Sequence, residues 1–224
     1  MKIRLSHIID AGTPSYGNRD RVLVKAASSI AAGNTANSSC WILSSNHMGT
    51  HIDVPRHFSN EGLRTHEIPV EDYFFTAAAL VDIPCEGACL IGPEALGKAG
   101  GVPPETDLLL IRTGFERKRG SEAYWNDNPG LHPELADHLR RTCPQLRCVG
   151  FDFISITSWK FRAEGRAAHR AFLCPENRAR PLLAIEDMKL SPVRGPLRSV
   201  VVAPVLVEDG NGGPVTVFAD EAGS

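Results

Sequence analysis

Short apolar runs broken by glycine, proline and polar residues dominate the chain, and their length and β-branched content predict strands more often than helices. The predicted strands are Ala79–Ile83, Leu108–Thr113, Cys148–Asp152 and Ser199–Leu206. Several are apolar at consecutive positions, the pattern of strands covered on both faces. Two segments carry helical spacing instead. His132–Arg141 has Pro133 near its start and then Leu135, Ala136 and Leu139 along one face, and Gly92–Leu96 reads as another helix start. Asp209–Pro214 is a turn cluster between two strand-forming runs. Residues 11–37, rich in Gly, Ser, Ala and Asn, and residues 161–181, rich in Arg, Ala and Pro, read as long excursions from the core. Excursions of that length inside a compact domain commonly carry function. The balance of elements is that of an α/β protein with a mixed, strand-rich core.

Composition narrows the class of protein. With 42% hydrophobic residues over 224 positions, the chain supports one substantial core, so residues 1–224 are expected to form a single domain. A formal charge of -2 with interspersed basic and acidic residues leaves no footprint for nucleic acid or an anionic membrane. The expected partner is a small molecule. Met1–His7 lacks the apolar stretch of a signal peptide and no run is long enough to span a bilayer, so the expectation is a soluble cytoplasmic protein. Six scattered cysteines lack the density of a disulfide scaffold. Cys85 and Cys89 offer two of the four ligands that a structural zinc requires, and no second pair with suitable spacing accompanies them.

Chemistry concentrates in His47–His57, where His47, His51, Asp53 and His57 fall within eleven residues. Imidazole and carboxylate together suit zinc, manganese or iron. The spacing of His47 and His51 would place both on one helical face, but Gly49, the β-branched Thr50, Ile52 and Val54, and then Pro55 disfavour a helix. As an extended segment it separates cleanly. His47, His51, Asp53 and His57 share one parity, and Met48, Ile52 and Val54 share the other, so one face is chemical and the other packs. A straight strand would fail, because six extended residues cover about 20 Å, whereas a histidine and an aspartate on one ion hold their Cα atoms within roughly 12 Å. The chain must bend, and Gly49 and Pro55 are the residues able to bend it.

Three ligands from one segment leave an ion an open position for water, the layout of a catalytic site. His57, beyond Pro55, either joins the metal or stands beside it as a general acid and base, a role suited to an imidazole near neutral pH.

The motif His-x-Gly-Thr-His-x-Asp-x-Pro-x-His at His47–His57 resembles the signature of the cyclase family, which includes bacterial kynurenine formamidases and isatin hydrolases. The resemblance continues through Ile111–Gly114, Gly150–Asp152 and Ser155, Ala168–Arg170, Ile185–Glu186 and Gly213–Val215, and so covers most of the chain. It implies a swivelling β/β/α fold and a hydrolase using one or two divalent ions, zinc or manganese. It further implies His47, His51 and Asp53 on a first ion, with Asp53 bridging to a second ion held by His169 and Glu186, and His57 as proton donor and acceptor. The residues alone do not select His169 among the downstream histidines or Glu186 among the downstream acids. Asp187 is the competitor of Glu186, from which His169 is separated by the Arg- and Pro-containing stretch Cys174–Pro181.

Formamidases of this family carry a Trp-Pro-Gly-Asp-like segment near the N-terminus, where this chain has Thr13–Asn18. Tyr16 is the residue there able to stack on a planar substrate. Among Arg162, Arg166, Arg170, Arg178 and Arg180, one or two are candidates to grip a substrate carboxylate.

The expected activity is metal-dependent hydrolysis of a C–N bond in a small amide or formamide, with metal-activated water as nucleophile and His57 moving protons. Hydrolysis of a cyclic amide or lactone, and ring closure, use the same groups. A non-catalytic metal-dependent binding protein is the rival class. A serine hydrolase is disfavoured because the chain has no Gly-x-Ser-x-Gly elbow. The resemblance also implies a homodimer or homotetramer.

Overall fold

The computed structural model describes residues 1–176 and 179–222. Thirteen strands and four α-helices follow in the order β1 (Lys2–Arg4), β2 (Val22–Ser28), β3 (Ser38–Leu43), β4 (His51–Asp53), β5 (Phe74–Phe75), β6 (Ala78–Asp82), β7 (Leu90–Ile91), α1 (Pro93–Lys98), β8 (Leu108–Arg112), α2 (Ala123–Asn126), β9 (Gly130–Leu131), α3 (Glu134–Thr142), β10 (Cys148–Phe151), α4 (Arg162–Leu173), β11 (Leu183–Glu186), β12 (Leu197–Pro204) and β13 (Gly212–Glu221).

Nine of the strands form one sheet in the order β5-β12-β13-β4-β11-β10-β8-β6, with β1 also paired to β13. Its two limbs differ in character. β6, β8, β10 and β11 are parallel neighbours linked in sequence order by crossovers that contain the helices. β5, β12, β13 and β1 are antiparallel, and β4 joins the limbs by pairing antiparallel to both β11 and β13.

Side-chain alternation explains the layers. On β8, Leu109 and Ile111 face a cluster with Leu96, Leu135, Leu139 and Phe172 from the helices. Leu108 and Leu110 face the other way, into a cluster with Val200, Val202 and Val217 of the antiparallel limb. The antiparallel limb therefore curls over the face that the helices leave open, giving β/β/α layers in a nearly closed, strand-rich sheet. That is the fold class expected from the sequence. Of the apolar runs predicted as strands, Leu108–Ile111, at 0% exposure throughout, and Cys148–Phe151 are buried on both faces, whereas β6 and β12 are only partly covered.

One sequence expectation needs correction. The segment from Arg162 to Leu173 is not an excursion but α4, whose Gly165, Ala168, His169, Phe172 and Leu173 are buried. Their spacing is helical, and the interspersed arginines and alanines hid it. Residues 11–37 do stand outside the large sheet as expected, where β2 pairs with β3 in a separate two-stranded hairpin whose register shifts between Ala26 and Ser28, leaving Leu23, Val24, Trp41 and Ile42 exposed. The helices predicted at His132–Arg141 and Gly92–Leu96 are α3 and α1, and the Asp209–Pro214 cluster supplies the turn from β12 into β13. Among the described residues no helix is long and apolar enough to cross a membrane.

Candidate metal centre

β4 sets the site. His51 lies opposite Glu186 of β11 and Pro214 of β13, and Asp53 lies opposite Ala184 and Gly212. Glu186 is the last residue of its strand, at the carboxyl end of the parallel limb, where ligand sites in such sheets gather. The two bends required by the sequence are both present. Gly49 adopts a φ of 65°, and Pro55–His57 form a 3-10 turn that brings His57 back beside Asp53. Met48, Ile52 and Val54 are essentially inaccessible on the opposite side. The division into a chemical and a packing face holds in three dimensions.

Asp53 is the hub, each of its oxygens facing two imidazoles. Oδ1 lies 2.7 Å from His47 Nδ1 and 3.6 Å from His51 Nε2; Oδ2 lies 3.5 Å from His169 Nε2 and 3.9 Å from His57 Nε2. Glu186 completes the cluster, with Oε2 at 3.2 Å from His51 Nε2 and Oε1 at 3.7 Å from His169 Nε2. Two triads have ligand atoms mutually within 4.8 Å, His47–Asp53–His57 and His51–Asp53–Glu186, and Asp53 belongs to both. This grouping differs in detail from the partition that the family signature implies, since His51 stands with Glu186 and His57 stands with His47.

Backbone carbonyls fix the orientation of the two most buried rings. His51 donates Nδ1–H to Gly49 O at 2.8 Å, and His169 donates Nδ1–H to Gly165 O at 2.9 Å, with Thr157 Oγ1 at 3.1 Å. In each neutral ring the Nε2 lone pair then points at the carboxylates, the arrangement by which outer partners prepare a histidine ligand. His51 Nε2 is moreover buried without a hydrogen-bond partner. A buried orphan nitrogen, two buried carboxylates and further imidazoles form a donor set that fits divalent zinc or manganese.

Several supporting residues escaped the sequence reading. Asn211 holds the far edge of His47, its Oδ1 lying 2.9 Å from Nε2. Ile156 donates its backbone N–H to Glu186 Oε1 at 2.7 Å. Phe58 stacks on His169 with centroids 4.6 Å apart. A side chain at Gly212 would meet Ile52 O at 2.5 Å and His47 Cε1 at 2.8 Å, so this glycine permits β13 to approach the site. Only Asn211 and Gly212 carried a sequence signal, as members of the turn cluster.

Protonation of the cluster's own groups follows from crowding. Burial disfavours a charged His51, but Glu186 and Asp53 outweigh it and raise the pKa to about 9; His169, similarly buried and facing Asp53 and Glu186, rises to about 10. Burial also opposes ionisation of Asp53, yet His57, His47 and His169 hold it well below the ordinary carboxylate value. Burial and the Asp53 charge oppose ionisation of Glu186, and His169 with His51 bring it below the ordinary value. Two carboxylates are thus balanced by two imidazoliums. Metal binding must displace those protons. We expect about two protons released per chain when zinc or manganese is added near pH 7, measurable by calorimetry in buffers of different ionisation enthalpy. The sign is fixed by the raised values, so apparent affinity climbs as pH rises toward 9–10. Affinity independent of pH between 6 and 9 contradicts this scheme.

Asp187, the competitor of Glu186, lies in the same turn but faces away. It accepts a two-pronged contact from Arg119, with Nε–Oδ1 and Nη2–Oδ2 both 2.9 Å, and Tyr124 donates to its Oδ1 at 2.5 Å. Its φ of 52° is unusual for a side-chain-bearing residue, and its carbonyl accepts from Thr50 Oγ1 at 2.6 Å. The acid selected by the family resemblance is the one beside the histidines, and the other anchors the turn. Arg119→Met is therefore expected to cost about 3–5 kcal/mol of stability by leaving a buried carboxylate uncompensated, read as a fall in denaturant midpoint. A change below about 1 kcal/mol would remove the anchoring role.

A cavity of about 280 Å³ opens onto the cluster and is lined also by Tyr16, Arg19, Phe58, Ile154 and Ser155. Tyr16, the residue named as able to stack on a planar substrate, borders this cavity. Its hydroxyl is buried without a partner, and its ring lies 5.1 Å from Trp159, tilted by 56°. Of the arginines expected near a substrate carboxylate, Arg162 lies over Trp159, Arg170 over Phe58, Arg180 pairs with Asp72, and Arg166 is exposed. None of these four lines the cavity, while Arg19 does. Arg178 lies outside the described residues.

The β/β/α layers thus carry a cluster of histidines and carboxylates able to hold a metal ion. Residues 3–158 match the family model described as "Putative cyclase", and the chain belongs to the cyclase family. It is 30% identical over 110 residues to an uncharacterized protein of Haemophilus influenzae, covering 48% of this chain and 78% of that one. It is 27% identical over 173 residues to a kynurenine formamidase of Bacillus thuringiensis, covering 75% of this chain and 73% of the relative. An isatin hydrolase bound to the product analogue thioisatinate matches with a TM-score of 0.79 at 16% identity, covering 99% of this chain and 92% of its own. That last likeness is one of fold.

Proposed function

We propose that this chain is a metal-dependent hydrolase of a C–N bond in a small, planar amide or formamide, using zinc or manganese at one or two sites per chain. The observation that carries the reading is the convergence of Asp53 and Glu186 with His47, His51, His57 and His169 at the base of one cavity. The naming of a family relative as a kynurenine formamidase supports the amide class.

Asp53 and Glu186, with His47, His51 and His169, would hold the metal. When bound, a divalent ion supplies Lewis-acid polarisation and makes water ionisable near neutral pH. His57 is held low, at about 4, by burial in the first place, and is therefore neutral over the working range. A neutral imidazole at the cavity wall accepts the proton from attacking water and returns it to the departing nitrogen. Tyr16, beside Trp159, offers an aromatic face to a planar substrate and an unpartnered hydroxyl to one of its polar atoms.

The same groups would open a cyclic amide or lactone, or close a ring in the reverse direction. A screen of aryl formamides, cyclic amides and lactones with added zinc or manganese separates these substrates. The expected result is turnover of an aryl formamide or related amide that a chelator abolishes and metal restores. Metal-independent turnover would sink the reading. We also infer a homodimer or homotetramer, supported by the β2–β3 hairpin, because an isolated two-stranded hairpin with exposed apolar residues is marginal in water. Sedimentation as a monomer at micromolar concentration would contradict it.

A further inference from the structure

Outside the metal centre, the chain brings two thiols together. Cys85 and Cys89 flank the bend between β6 and β7, and their sulfurs lie 3.3 Å apart. Both backbones are tied down. Cys85 N–H donates to Thr113 O at 3.2 Å beside the end of β8, and Cys89 O accepts from Gly130 N–H at 2.9 Å in β9. The proximity is therefore held by backbone hydrogen bonds to the segments beside β8 and in β9. Exposure divides the pair, since Cys85 is 6% accessible and packs among core residues, whereas Cys89 is only partly buried. Arg117 and Lys118 both reach Glu86, the residue after Cys85, and hold the bend between the two cysteines.

We propose that Cys85 and Cys89 are a thiol–disulfide pair, a modification site at which a hydroperoxide closes an intramolecular disulfide. Cys89 is the attacking sulfur. It is the more accessible, and the hydrogen bond between the sulfurs holds its thiol below the ordinary value against the opposing effect of burial. The same hydrogen bond and burial push Cys85 up, so it stays protonated until it resolves the intermediate.

The Cys89 thiolate attacks the peroxide oxygen, the O–O bond breaks, and the departing oxygen leaves as water or alcohol after taking a proton. Cys89 is then a sulfenic acid, oxidised by two electrons as the peroxide is reduced. Cys85 forms the S–S bond as the S–O bond of Cys89 breaks, and water leaves with the Cys85 proton. In sum, two thiols and one hydroperoxide give one disulfide, one alcohol or water, and one further water. The bridge closes a loop of few residues, which limits what it adds to stability and leaves it open to reduction by a thiol. These features distinguish a redox pair from a structural crosslink.

The experiment is convenient, because Cys85 and Cys89 are the only cysteines between Arg64 and Lys98 and share one tryptic peptide. Purified full-length protein is treated with hydrogen peroxide, denatured, alkylated and mapped by mass spectrometry. The expected peptide has lost two hydrogens and carries no alkyl group, and reduced glutathione before alkylation restores both labels. Cys85→Ser, or Cys85→Ala if serine fails to fold, should trap Cys89 as a dimedone-reactive sulfenic acid. Cys89→Ser should leave Cys85 without dimedone label. Two alkylated cysteines after peroxide, a bridge to any other cysteine, or a dimedone label on Cys85 would each overturn the proposal.

Discussion

Asp53→Asn is expected to empty the metal centre. The side chain changes by one heavy atom and no volume, yet it loses the charge that four imidazole nitrogens face at 2.7–3.9 Å. Because Asp53 alone belongs to both triads of ligand atoms, both would fail together. The loss of metal affinity should exceed the roughly 10- to 100-fold typical of changes to outer partners of a metal site. Elemental analysis after dialysis reads the loss directly, and activity should fall with it. Asn is nearly isosteric and β4 is held by pairing on both sides, so folding by circular dichroism should be preserved. A variant that keeps its full metal content removes Asp53 from the centre.

His57→Asn is expected to behave oppositely, keeping metal while turnover falls by about 10²- to 10⁴-fold, the span of general acid–base catalysis. The geometry makes this a sharp test, because His57 Nε2 lies close enough to Asp53 and His47 to act as a ligand itself. It is nevertheless the longest of the contacts to Asp53, at 3.9 Å, and the ring borders the cavity. Metal content measured beside kcat separates the two roles. Loss of metal in parallel with activity would make His57 a ligand, and unchanged turnover would deprive it of any role in proton transfer.

Local pattern made the first half of the site legible. Shared parity placed His47, His51, Asp53 and His57 on one face, and the need for a bend pointed to Gly49 and Pro55, both of which turn the chain as expected. The second half depends on pairing that no local pattern carries. Glu186 faces the cluster because β11 lies in register with β4, whereas its neighbour Asp187 turns away to Arg119. Glu186 ends the strand and Asp187 starts the turn with a φ of 52°, so which of two adjacent acids faces the cluster depends on where pairing stops, which no local pattern shows. His169 was hidden differently. Its helix reads as an arginine-rich excursion, and only the burial of Gly165, Ala168, Phe172 and Leu173 shows which face points inward. Phe58 is a single aromatic after a short turn, where nothing in the sequence distinguishes a cavity wall from ordinary packing.

The most direct measurement is anomalous diffraction from crystals grown with zinc or manganese. An anomalous peak enclosed by His51, Asp53 and Glu186, with or without a second beside His47 and Asp53, is the predicted result. A fully loaded crystal with its peak elsewhere, or with none at this cluster, would contradict a metal centre built on Asp53.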